Sequence, residues 1–494
     1  MHCNAHRLSG ALAVLLLAAA AALQPAQAQE HPGMQLSEDV QQMIENSRAA
    51  NAWWSVIVTD TTGRVLESYY PEKLMRPASN LKLLSTAAAL DQLGPDYRFE
   101  TRVWGIGHQQ DSTWMGDLVV EGRGDPTISG LFYDEHRFHV FEKFYSTLDS
   151  LGIRRIRGNL VGNDAYFERQ VYPKGWSWED LTYYYGVEIS ALSFNNNAVD
   201  LQVFADRPVG EKPRIQWFPF DTDYVTFVNE QVITPPDTEF DEFYRRELGT
   251  NIITLGSKVP RNHYEEESLA VHNASLYFMD TFLEYLRDGG MTVDGRMILE
   301  HQPRDFEGDT YTLLTRHRSP PLRLILQETN KESNNFYMEM LMKTMAAERY
   351  DEQGSTELGL GLIENFAHEM GMDTTRVELT DAAGMSPATL LTAEDLNRLL
   401  VGMQSHPHFD TWRNSLAIAG VDGSISHRFQ GTPLAGNLRG KTGYVSGVRA
   451  LSGYLEAASG RPLIFTMMTN HYTARTTYLD WLHERILRHW YEDY

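Results

Sequence analysis

The stretch Pro77-Ala78-Ser79-Asn80-Leu81-Lys82-Leu83 decides how this chain is read. It opens a run in which Leu81, Leu84 and Ala88 recur at helical spacing until Gly94-Pro95 stops it, so a buried helix is expected to begin around Ser79. Ser79 and Lys82 stand three positions apart, which puts a hydroxyl and an amine on one face of that helix. A serine becomes a nucleophile only beside a base, and a lysine serves as that base only when burial and nearby positive potential depress its pKa. A buried helix N-terminus provides both conditions. The pair is a weak signal alone, because such spacings arise by chance and an exposed helix end with a solvated lysine is the ordinary alternative. Lysine is scarce, however, 9 residues against 34 arginines, and of the two cations only lysine can give up its proton.

Upstream of this helix, Trp54 to Asp60 and Arg64 to Tyr70 read as strands of a hairpin joined by Thr61-Thr62-Gly63. Downstream, from residue 98 to 288, the texture changes to short alternating strands, turns and aromatics such as Trp176, Trp178, Tyr183, Tyr184 and Tyr185. This region is expected to be a β-rich insert of two subdomains, with the aromatic tract in its core rather than lining a substrate pocket. Helical periodicity returns at Leu276 to Leu286 and from Pro321 to Tyr350, and Thr392 with Asp395 opens a further helix as a capping box. Strands follow at Asn437 to Val445, Arg449 to Glu456 and Leu463 to Thr469. A closing helix carries Leu479, Leu482, Ile486 and Trp490 on one face, for packing rather than for a membrane surface. The fold class is therefore α+β: one domain of residues 29–97 and 289–494, with an antiparallel sheet and helices, interrupted by the insert at 98–288.

Composition narrows the function. The 494 residues are 42% hydrophobic and 22% charged, an ordinary globular balance that excludes a disordered chain or a disulfide scaffold. The formal net charge of -23 argues against gripping nucleic acid by bulk attraction. Arg7, the apolar run Ala11 to Leu23 and Ala26-Gln27-Ala28 give residues 1–28 the pattern of a cleavable secretory signal, too short to span a membrane. No transmembrane segment is expected after cleavage before Gln29. Cys3 is the only cysteine, so cysteine catalysis and cysteine-held metals are excluded from the mature chain.

Two more motifs carry chemistry. Lys441-Thr442-Gly443 lies on a strand-like stretch, where a cation and a hydroxyl can flank a bound carboxylate while the glycine permits close approach. The overlapping Ala435-Gly436-Asn437-Leu438-Arg439-Gly440-Lys441-Thr442 satisfies a loosened P-loop pattern, but strand-like residues follow it where a P-loop opens a helix. Ser333-Asn334-Asn335 interrupts the helical stretch; in a turn between two helices, the Ser333 hydroxyl and the Asn335 amide could face one cleft. A second Ser-x-Asn, Ser193-Phe194-Asn195, shows how cheap that pattern is and reads as a cap. There is no Gly-x-Ser-x-Gly elbow and no His-Glu-x-x-His, so no α/β-hydrolase triad, metal or cofactor is expected.

Taken in order, Ser-x-x-Lys, Ser-x-Asn and Lys-Thr-Gly form a set found in penicillin-binding proteins and class A β-lactamases. With its long first gap, the chain resembles the class C low-molecular-mass penicillin-binding proteins, the D-alanyl-D-alanine carboxypeptidase/endopeptidase family. The likeness continues through Gly124-Asp125-Pro126-Thr127, Gly175-Trp176-Ser177-Trp178-Glu179-Asp180, Asp381-Ala382-Ala383-Gly384-Met385-Ser386 and Ala419-Gly420-Val421-Asp422-Gly423.

The resemblance implies a penicillin-binding, β-lactamase-like catalytic domain that acts in the periplasm on peptidoglycan stem peptides, with β-lactams as covalent inhibitors. By it, Ser79 attacks the carbonyl between two D-alanines, Lys82 is its base, and Ser333 shuttles a proton with help from Lys441. Asn335 holds the substrate peptide, Thr442 binds the terminal carboxylate, and the backbone amides of Ser79 and Tyr444 form the oxyanion hole. Two positions depart from the family pattern. Tyr444 stands where a hydroxyl residue is usual, and Asp381-Ala382-Ala383-Gly384 replaces Asp-Gly-Ser-Gly, a change expected to be structural. The alternatives are a β-lactamase or esterase on the same fold, or a wall-binding protein without catalysis.

Overall fold

The structure is a computed structural model that describes residues 34–219, 222–306, 308 and 310–494. The expected signal segment at 1–28, and Cys3 within it, lie outside the described residues. Among the described residues no helix is long and apolar enough to cross a membrane.

The hairpin of Trp53–Asp60 and Val65–Tyr69 is present, and Gly63, at φ +83°, closes its turn. Its first strand pairs antiparallel with Pro462–Asn470, which continues through Val448–Glu456 and Arg439–Val445 to the short edge Ala417–Ile418. With Met34–Gln35 at the other edge this makes a seven-stranded sheet. Leu463, Phe465 and Met467 alternate with Ile464 and Met468, and both sets are buried, so the strand has an apolar layer on each side. One layer is the closing helix Thr476–Asp493, whose Leu479, Leu482, Ile486 and Trp490 are buried against the sheet as the sequence predicts. The other is a helical layer that includes Lys82–Leu93, Asn335–Tyr350, Thr356–Glu369 and Ala393–Met403. The segment resembling a P-loop leads into the strand Arg439–Val445 and opens no helix.

The insert is larger than its expected bounds. Tyr311–Arg318 pairs with Glu100–Gln110, and Thr292–Val293 and Met297–Glu300 join the same sheet system. The return to the first domain therefore falls after Arg318 and not at 288, because these strands find their partners well over a hundred residues upstream, where no local pattern announces them. The two crossings lie side by side: the Phe99 amide donates to Ser319 Oγ at 2.9 Å, and the Leu322 amide to the Tyr97 carbonyl at 2.9 Å. A second sheet, of Ala198–Phe204 with Arg214–Phe218 and Tyr264–Ala270, shares one apolar core with the first through Phe141, Phe194, Phe278 and Phe282. The expected two subdomains thus do not have separate cores.

Candidate active site

The Ser79 segment is built by strain and close approach. Pro77 leads into a 3-10 turn, Ala78–Leu81, and the α-helix Lys82–Leu93 follows. Ala78 takes a left-handed φ of +46°, a conformation a non-glycine residue holds only where its surroundings impose it. Two glycines press on this turn. A Cβ at Gly384, itself at φ +84°, would lie 2.0 Å from the Ala78 carbonyl oxygen, and one at Gly443 would lie 2.6 Å from the Pro77 carbonyl oxygen. Asn470 fixes the approach by bonding both the amide and the carbonyl of Arg76, and Asn80 reaches across to Ser452 Oγ at 2.7 Å.

Lys82 is fully buried. Its Nζ lies 2.9 Å from Ser79 Oγ, 2.6 Å from Asn335 Oδ1 and 2.9 Å from the Ala383 carbonyl oxygen. Burial lowers its pKa to about 7, against the opposing pull of Asp381 and Glu339. Ser333 sits at φ +63° between the helices Leu322–Lys331 and Asn335–Tyr350, the break on which its meeting with Asn335 depends. Lys441 Nζ is 2.8 Å from Ser333 Oγ and 2.9 Å from the Thr442 carbonyl oxygen. Burial, then the charges of Lys82 and Arg449, hold its pKa well below the usual lysine value. Thr442 Oγ1 meets Ser424 Oγ at 2.7 Å. Gly443 places the strand edge against Pro77 and Asn80, so the Ser79 turn and the amide of Tyr444 border one cleft, with the Tyr444 ring 56% exposed.

Ser79, Lys82 and Asn335 thus meet, Ser333 meets Lys441, and others join them that sequence reasoning missed. The Asn335 amide is already engaged on both sides: Oδ1 accepts from Lys82, and Nδ2 donates to the Tyr185 carbonyl at 3.0 Å and to Met385 Sδ. The aromatic tract is therefore not the insert's core. Trp176 Nε1 donates to Asp381 at 3.1 Å, Trp178 and Tyr184 are exposed, and only Tyr183 of the five packs against the insert's apolar core. The Asp381–Gly384 tract does more than scaffold, since Ala383 gives Lys82 a carbonyl acceptor. The side chains of Ser193 and Asn195 bond to Ser190, Asn197, Ala198 and Asp200, away from Lys82 and Lys441. Among the described residues no three His, Cys, Asp or Glu side chains are grouped to hold a metal ion.

Glu339 lies one helical turn beyond Asn335, fully buried, and its Oε1 accepts from the amides of Ala382 and Ala383 at 2.8 Å each. Its spacing of four from Asn335 was the available signal. Burial, reinforced by Asp381, raises its pKa to about 8. A carboxyl raised above its unfolded value binds more protons in the folded state, so its contribution to stability is full below about 4.5 and falls away as pH rises through about 8. Lys82, depressed to about 7, acts oppositely and regains stability as pH rises from about 7 toward 10.5. Glu339→Gln keeps an acceptor but cannot ionise. The variant is therefore expected to gain on the native protein in thermal midpoint between pH 5.5 and 8.5; a constant difference across that range would refute the ionisation.

Known proteins resemble this chain over most of its length. The D-Ala-D-Ala carboxypeptidase 3 (S13) family matches residues 36–480. A D-alanyl-D-alanine carboxypeptidase of Actinomadura sp. (strain R39) is 32% identical over 450 residues, 88% of this chain and 81% of that protein. The D-alanyl-D-alanine carboxypeptidase DacB of Haemophilus influenzae is 26% identical over 419 residues, 83% of each chain. The crystal structure of penicillin binding protein 4 (dacB) from H. influenzae superposes with a TM-score of 0.81 at 24% identity, covering 92% of this chain and all of that one, which shows a shared fold. The chain belongs to the S13 family of D-Ala-D-Ala carboxypeptidases, serine peptidases.

Proposed function

We propose that this protein is a periplasmic serine D-Ala-D-Ala carboxypeptidase that trims peptidoglycan stem peptides through an acyl-enzyme, and that it also cleaves D-Ala-diaminopimelate crosslinks. The observation that carries the reading is the buried Lys82 amine, 2.9 Å from Ser79 Oγ and with its pKa lowered to about 7. In that state the amine accepts the Ser79 proton as Oγ bonds to the carbonyl carbon of the penultimate D-alanine. The amides of Ser79 and Tyr444 receive the developing oxyanion. The C–N bond then breaks, and the departing nitrogen takes a proton from Ser333 Oγ, which Lys441 resupplies.

Lys441 can do so because the substrate's terminal carboxylate, bound beside Thr442 and Ser424, brings a negative charge that restores its proton. Asn335 steadies Lys82 and supports the peptide by exchanging its contact with Met385 Sδ for one to the substrate. Water next attacks the ester carbonyl, giving one proton to Lys441 and so recharging it, Lys82 returns its proton to Ser79 Oγ as the ester bond breaks, and the acid product releases the second water proton to solvent and leaves as a carboxylate. Crosslink cleavage is the same sequence with a diaminopimelate amine as leaving group.

Intact mass after exposure to benzylpenicillin tests the acyl-enzyme. A single lasting adduct is expected on the native chain and none on Ser79→Ala. Rapid antibiotic turnover without an adduct would instead favour a β-lactamase, and neither adduct nor turnover would favour a wall-binding protein. Release of D-alanine from a stem pentapeptide, set beside cleavage of a crosslinked dimer, separates the two peptidase activities.

A further inference from the structure

A band of exposed rings and arginines leads away from the cleft across the end of the sheet. At its start, the Arg449 guanidinium lies 5.9 Å from the centre of the Tyr444 ring and pairs with Asp480 at 2.6 Å, tying the cleft's rim to the closing helix. One residue on, Trp481 is 46% exposed, and its ring lies 5.4 Å from that of Tyr478. Arg485 sits over Trp481 at 4.9 Å and Arg48 over Tyr478 at 5.7 Å. Beside Tyr478 is a surface hollow of about 510 Å³, lined by Arg48, Arg475 and Tyr478 among others. On the other flank, Trp53 is 51% exposed and rests on His471, whose amide donates to Gly447 in the turn that follows Tyr444.

Among the described residues, Arg48, Arg475 and Arg485 pair with no carboxylate, although the chain carries 66 acidic residues. Exposed tryptophan, tyrosine and arginine together are the side chains that dominate binding surfaces. Resting on the proposed function, we infer that this band holds the glycan strand of the same wall polymer whose peptide enters the cleft. The apolar C–H faces of pyranose rings stack on Trp481 and Tyr478, and the arginines meet the free carboxylates of neighbouring stem peptides. The turn at 444–449 joins band and cleft without a break, as a peptide attached to its own glycan requires. An anionic membrane fits less well, because the same helix carries Asp480, Glu484 and Glu492 and the net charge is -23.

Sedimentation with purified sacculi tests this, using Ser79→Ala protein so that nothing is consumed. Adding Trp481→Ala and Arg485→Gln is expected to weaken binding to intact sacculi about tenfold, and to peptide-free glycan by a smaller factor carried by Trp481 alone. Trp481→Phe, which keeps a flat face, should recover most of the loss. The same substitutions on the active chain should leave hydrolysis of a soluble acyl-D-Ala-D-Ala unchanged, which also shows that the variant folds. Unchanged sacculus binding, or loss seen only with phosphatidylglycerol vesicles, would overturn the inference. Glycan binding that depends on Trp481, in a native chain unable to cleave the soluble substrate, would overturn the proposed function and leave the band's assignment standing.

Discussion

Lys82→Met is expected to lower both benzylpenicillin acylation and D-alanine release by on the order of 10⁴-fold or more. Methionine fills a similar volume, so the buried site persists, but no group then lies 2.9 Å from Ser79 Oγ to take its proton. Two acceptors, Asn335 Oδ1 and the Ala383 carbonyl, lose their donor, which costs about 1–3 kcal/mol each. Relief from desolvating an amine offsets part of that cost. Lys82→Arg supplies the sharper contrast, since a guanidinium keeps charge and donors yet cannot act as a base. If positive charge alone activated Ser79, Lys82→Arg would retain substantial activity. In the native protein the same argument places the acid limb of the kcat/KM profile near pH 7, where Lys82 loses its proton. A profile flat from pH 5 to 8 would count against Lys82 as the base.

Gly384→Ala should damage catalysis far more than its single methyl suggests. The position combines a left-handed φ of +84° with a Cβ site 2.0 Å from the Ala78 carbonyl oxygen, so the residue is strained and the Ala78–Leu81 turn must move. Strain and overpacking of this kind cost about 1–3 kcal/mol each in stability. The larger effect is expected on acylation, because a displacement of about 1 Å at a reacting group can cost about 10²-fold. Measured together, thermal midpoint and acylation rate separate the two. Loss of stability with an unaltered acylation rate would show that the turn recovers its geometry.

These expectations depend on features that the sequence shows unevenly. Ser79, Lys82, Ser333 and Lys441 are legible because each lies in a short motif whose spacing has a local geometric meaning, on a helix turn or a strand edge. The break at Ser333 was legible as well, since a helical run holding Ser-Asn-Asn needs a turn for both outer side chains to serve one cleft. Glu339 and the Ala383 carbonyl were not, because their work is done through backbone groups of a distant loop. The bounds of the insert were missed for a related reason. Tyr311–Arg318 pairs with Glu100–Gln110, and strand pairing over such a separation leaves no periodic trace. The tract from Trp176 to Tyr185 misled by composition, since clustered aromatics read as core whether they face a core or a cleft.

The adjacent crossings at Phe99–Ser319 and Tyr97–Leu322 also bear on how the chain comes together. Ser79 and Ser333 stand on opposite sides of the insert in sequence, so bringing them together closes a loop that contains all of it. Were the insert still a flexible coil, closing a loop of that length would cost about 3 kcal/mol more than closing one of a few residues. Once it has condensed around its own phenylalanines, its two ends emerge side by side and the loop is effectively short. With its ends held together at these crossings, the folded insert spares Ser79 and Ser333 the span of chain that separates them.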